Sequence, residues 1–371
     1  MHLMLESMIQ IAKEAAVQRA DSNRDIVAAY LTGSLLDNGS AVGYHNGRAV
    51  TYHNGSEVGY QRGSEVGYHK DPFLGGAADI DLVLVHAQEP RARREIVSLT
   101  PEIHLDIKHN PRREYDHPRE LRVHPWLGPE MYNPLLLYET GHFFKFVQAG
   151  LRDKFHEPVN TILRARRNAD HARQICNGLQ FPTETGPALV LKYLKAVNHA
   201  ANAVAILNGM PLAERRFLLQ FPARAEAAGR PGLAAGLLGL LCAPKVDFFA
   251  LAGFLPEWEK DFLEAASSPG VEACIHPARL EYYKKAFESL LGGENPQAIL
   301  WPFIHTWSLA AAVLPPARQV AWQSACRQLG LVGESLMVAQ SATINERLHG
   351  LDQYLDGIEE LLEGMAVANE A

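Results

Sequence analysis

A chain of 371 residues, 47% hydrophobic and 21% charged, has the composition of a globular protein with ample material for a core. A net charge of −7 argues against a general nucleic-acid binder, which carries a basic excess. Cys176, Cys242, Cys274 and Cys326 show no CxxC spacing, so they read as reduced, buried thiols rather than a disulfide frame.

The first segment, MHLMLESMIQIAKEAAVQRA, alternates apolar and charged residues at helical spacing and predicts an amphipathic helix over about residues 2–19. It lacks the basic start and unbroken apolar core of a signal peptide, so a cytoplasmic location is expected. DIVAAYLTGS reads as a buried strand running into a Gly-Ser turn. Residues 41–72 then repeat an octapeptide four times: AVGYHNGR, AVTYHNGS, EVGYQRGS, EVGYHKDP. AADIDLVLVHA is a second apolar strand. EPRARREIVSL predicts a helix with acid at its start, and Arg91, Arg93 and Arg94 are read as its solvated face. EIHLDIKHN is a third strand, with Ile103, Leu105 and Ile107 facing one way and His104, Asp106 and Lys108 the other. Residues 110–135 read as an irregular segment whose charged and aromatic content suits a site lining. Helices are expected to resume near Leu135 and across VNTILRARRNADHARQICN, where Arg164, Arg166 and Arg167 are read as solvated. LQFPTETGP looks like a domain joint, and residues 188–365 are nearly all helical. AILWPFIHTWSLAAAVL is interrupted by Pro302 and His305 and reads as a buried helix, not a membrane span. The expected class is α+β: a small mixed-sheet domain over 1–180, then an all-α accessory domain over 187–366.

Three features carry chemistry. Gly33-Ser34 ends the first strand, Asp79-Ile80-Asp81 opens the second, and Asp106 lies within the third. Residues i and i+2 of a strand share a face, so Asp79 and Asp81 point together, and Asp106 can pair beside them. Three converging carboxylates repel unless a cation sits between them, and hard oxygen ligands in an open site favour Mg²⁺ with substrate phosphates. A glycine turn offers backbone N–H groups to a phosphate. These parts suit an Mg-nucleotide.

YLTGSLL, AADIDLVLV and IHLDI, as they stand here, resemble the polymerase-beta-like nucleotidyltransferase superfamily. The resemblance covers about residues 25–108, and the helical second half is similar to the accessory domain of its small-molecule and antitoxin-type members. The family implies two Mg²⁺ ions held by Asp79, Asp81 and Asp106, an NTP donor such as ATP, and phosphates cradled by Gly33 and Ser34. It implies a phosphate contact from an accessory-domain lysine, here Lys192, and help from Asp106 in deprotonating an acceptor hydroxyl. One spacing departs from the pattern. Ser34 and Asp79 are 45 positions apart, and the four octapeptides account for 32 of them, leaving an ordinary 13. The repeat is therefore an insertion into an intact motif. Its Asn-Gly steps predict a meander of short strands projecting from the core.

The first expectation for the acceptor is a small hydroxylated molecule, then a protein partner of antitoxin-like nucleotidylation, then an RNA 3′ end. The alternative from another class is a non-catalytic binding module using the repeat as its contact surface. No membrane partner is expected.

Overall fold

The computed structural model describes residues 2–36, 41–45, 48–53, 56–57, 73–244, 246–332 and 342–370. The fold is mixed α and β, and its packing divides the chain into two compact units. Residues 1–157 with Asn208–Met210 form the first, and Pro158–Leu207 with Pro211–Ala371 the second.

In the first unit, helix α1 (His2–Ser22) precedes strand β1 (Ile26–Thr32). Strands β2 (Ala41–His45), β3 (Arg48–His53) and β4 (Ser56–Glu57) follow, then β5 (Ala78–His86), β6 (Arg94–Ser98) and β7 (Ile103–Pro111). After short helices α2 (Pro118–Leu121) and α3 (Leu127–Tyr132) come β8 (Leu135–Glu139) and α4 (Phe143–Arg152). The main sheet has the order β6-β7-β5-β1-β8. β5 and β7 are parallel, and every other neighbouring pair is antiparallel.

Alternation along the central strands gives the sheet two covered faces. Ala29, Leu31, Ile80, Leu82, Leu84, Leu105 and Ile107 join Met8, Ala12 and Ala16 of α1 in one buried cluster. The opposite face sends Ala28, Tyr30, Val83 and Val85 into a second cluster with Leu121, Met131, Phe144 and Val147. Because Asp79, Asp81 and Asp106 share the parity of Val83 and Val85, they lie on this second face, beyond its apolar part.

Two expected helices are strands. Residues 94–98, read as helical, form edge strand β6, and 135–139, where helix was expected to resume, form edge strand β8. Hydrogen bonding to β7 and to β1 sets their conformation, and neither carries a buried apolar run of its own.

The first half of the repeat is a sheet of its own. β2, β3 and β4 pair antiparallel in sequence order. His45 pairs with Arg48 and His53 with Ser56; the Asn-Gly steps between them, where turns are expected, lie outside the described residues. Ala41 pairs with Tyr52 and Tyr44 with Ala49. Residues 58–72, with the last two octapeptides, lie outside the described residues. Leu35, before the insertion, and Phe73, after it, are buried in the same cluster as Met8 and Ala12 of α1.

In the second unit, α5 (Pro158–Gly178) packs on α6 (Gly186–Ala205). The second unit begins at Pro158, the start of α5. Arg173 of α5 is held by Asp352, Asp356 and Glu359, successive acids on one face of the long helix Ala342–Glu370. Helix Leu300–Val313 is buried on most sides, as read from sequence. No described helix is long and apolar enough to cross a membrane. The cysteines stand as thiols outside any disulfide: Cys176, Cys242 and Cys326 are buried, and Cys274 is partly buried.

Candidate functional site

The site is built by strand register. β1 and β5 pair Thr32 with Asp81, and β5 and β7 pair Asp79 with His104 and Asp81 with Asp106. One carboxylate oxygen from each of Asp79, Asp81 and Asp106 lies within 4.8 Å of the other two. Asp79 and Asp106 are buried, and Asp81 is partly exposed. The three expected acids are thus brought together.

The Gly-Ser turn closes the same end of β1. Gly33 has φ +80°, and Leu36 N–H donates to its carbonyl at 3.1 Å. A Cβ on Gly33 would overlap the Asp81 carboxylate. Glycine is required twice over, for the left-handed backbone and for the carboxylate that lies against it. The Ser34 hydroxyl oxygen is buried and has no hydrogen-bond partner. An orphaned buried hydroxyl costs about 1–3 kcal/mol unless a ligand satisfies it. A phosphate oxygen would.

Two cations border the triad, and sequence reading missed the part each plays. Arg94, expected on a solvated helix, stands on β6 and grips Asp106 with both arms of its fork. Its Nε donates to Oδ1 at 2.7 Å and one terminal nitrogen to Oδ2. Lys108, paired in register with Arg94, donates to Glu130 Oε2 at 2.9 Å. Burial alone would push the Lys108 ammonium down; Glu130, and after it Asp81, more than offset this and hold it above its ordinary value.

Glu130 is itself fixed from below. Tyr30 O–H donates to Glu130 Oε1 at 2.8 Å, the Tyr30 and Tyr115 hydroxyls meet at 2.9 Å, and Asn110 Nδ2 donates to the Tyr115 oxygen. Only one direction satisfies all of these bonds: Tyr115 donates to Tyr30, and Tyr30 to Glu130. Burial raises both tyrosines well out of the physiological range, so they act as neutral donors. Tyr115 and Glu130 come from the 110–135 segment, expected to be irregular, where the chain instead forms short helices that include α2 and α3.

Lys192 is on α6 of the second unit, where both oxygens of Glu184 hold its ammonium at 3.0 Å. Arg166 and Arg167 are exposed as expected, whereas Arg164 is buried, because its helix turns that side into the second unit's packing. Of the histidines, His86 and His109 contact each other at 3.0 Å, with Asp25 3.2 Å from His86, and His124 accepts two backbone N–H groups at the start of α3. Among the described residues, only the three aspartates form a cluster with metal-binding spacing.

A scan against protein-family models finds no match, and no curated protein matches the chain. The functional reading therefore stands on the site itself.

Proposed function

We propose that the protein is an Mg²⁺-dependent nucleotidyltransferase that moves a nucleoside monophosphate from an NTP to a hydroxyl acceptor. The observation that carries this reading is one juxtaposition. Three aspartate oxygens converge beside a glycine turn whose serine hydroxyl is buried and unpartnered. Carboxylates supply a hard-cation site, and the turn supplies phosphate donors. The donor set therefore fits an Mg-triphosphate.

In this reading Asp79 and Asp81 hold the cation and Asp106 completes the set. Mg²⁺, when bound, neutralises the phosphates and stabilises charge on the leaving group. Ser34 O–H and the backbone at Gly33 bind phosphate oxygens. Asp106 accepts the proton as the acceptor oxygen attacks the α-phosphorus in line. The bond to the β-phosphate breaks, and pyrophosphate leaves. The acceptor favoured here is a small hydroxylated molecule. A second reading, a binding module contacting its partner through the repeat, draws on the separate sheet that the repeat forms.

The test is label transfer from α-phosphate-labelled NTPs to acceptor pools of small molecules, proteins and RNA, with and without Mg²⁺. The proposal expects metal-dependent transfer and pyrophosphate release, both abolished by Asp106→Asn. Specific partner binding without any pyrophosphate release would leave the binding-module reading in its place.

A further inference from the structure

Asp106 is the most enclosed carboxylate of the triad, and its side chain has no exposed surface. A buried carboxylate needs a cation or a set of donors; breaking such a pair is strongly destabilising because it strands the charge. Arg94 provides that cation with a two-pronged contact to both oxygens, the strongest arrangement the two groups can make. Arg94 itself is not enclosed. It stands on the edge strand, and 37% of its side chain is exposed to solvent. The carboxylate cannot leave, but the guanidinium can swing into water. Lys108, the next cation on this face, is tied to Glu130 and so is not placed to substitute for it.

We infer that Arg94 is a resident counter-ion of the acidic triad: it holds Asp106 until a divalent cation takes that carboxylate over, and so sets the affinity of the site for metal. The inference rests on the metal site proposed above and adds a regulator to it. Two cations, one from the chain and one from solution, share a single carboxylate. Each then weakens the other's hold, and the coupling is reciprocal. Arg94 is a positioning residue in this scheme. It keeps Asp106 in place in the metal-free protein and yields it when the site is loaded. A purely structural tie between β6 and β7 would lower stability equally with and without metal.

Manganese serves as the probe, with calorimetry and thermal melting of the full chain. Arg94→Gln is expected to bind Mn²⁺ roughly tenfold more tightly than wild type, within the usual range of site-to-site coupling. Its melting temperature without metal should fall, and Mn²⁺ should raise it by more than it raises that of wild type. Arg94→Lys keeps the charge but loses the fork, so its Mn²⁺ affinity should rise by only a few-fold; if Arg94→Gln does not fold, this variant carries the comparison. In an Asp106→Asn background most of the Arg94→Gln gain should vanish. Unchanged or weaker Mn²⁺ binding by the folded Arg94 variants overturns the inference and leaves the metal site standing. A gain that persists in full without Asp106 also overturns it, since long-range charge would then suffice. Absence of Mn²⁺ binding by wild type and variants alike overturns the metal site and the inference together.

Discussion

Ser34 and Gly33 adjoin in the chain, yet their substitution should act in opposite ways. The Ser34 hydroxyl is buried without a partner, so Ser34→Ala removes an unmet polar group. Melting temperature should hold or rise slightly, while affinity for Mg-NTP falls about tenfold or more, as for a lost hydrogen bond to a charged group. A variant that melts lower and binds nucleotide normally would contradict this. Gly33→Ala meets both a positive φ and the Asp81 carboxylate. It should cost about 1–3 kcal/mol in urea unfolding and weaken metal binding through displaced Asp81. The acids and the turn were legible because strand alternation and a Gly-Ser step are local signals. Arg94 was not. Its role depends on β6 lying against β7, and three neighbouring arginines in an acid-flanked segment read equally well as a solvated helix.

At the scale of elements, legibility followed position in the sheet. The three central strands, β1, β5 and β7, were read correctly, and the two missed strands, β6 and β8, are its edges. A central strand is covered on both faces and carries an apolar run, whereas an edge strand is half exposed and held by its neighbour. The repeat was read as an insertion by setting its length against the motif spacing that the family resemblance implies, and the structure adds a reason to expect it to be dispensable. Leu35 and Phe73, on either side of it, are both buried in the cluster packed on α1. No strand of residues 41–57 pairs with the main sheet among the described residues. Deleting 41–72 should therefore shift melting temperature by only a few degrees, because loop-closure entropy changes slowly with length. Mg-ATP affinity should stay within about threefold of the parent, well under 1 kcal/mol. An insoluble product, or a collapse in melting temperature, would show that the repeat is integral to the core.

For the molecule as a whole, the sequence conveyed a mixed α and β fold, and the chain packs as two units, the second beginning with α5. The second unit carries a pH signature. Burial, followed by the neighbouring charges of His171 and Lys195, pushes the His199 imidazole down to about 4, and its Nδ1 lies 3.1 Å from Asn168 Oδ1. The folded chain then resists a proton that the unfolded chain accepts near pH 6.5. Stability is full above that value and falls as pH drops from about 6.5 towards 4, by about 1–2 kcal/mol at pH 5. In urea unfolding at pH 7.5 and pH 5, His199→Gln should lose less stability between the two than wild type; equal losses would remove His199 as the cause.

The central claim is that Asp79, Asp81 and the turn at Gly33-Ser34 form one Mg-nucleotide site. Calorimetric titration of ATP into the wild type and into an Asp79→Asn/Asp81→Asn variant, each with and without Mg²⁺, tests it most directly. Mg²⁺-dependent binding is expected of the wild type and none of the variant, whose melting temperature stays close to wild type. Equal binding by the two proteins, or wild-type binding indifferent to Mg²⁺, would contradict it.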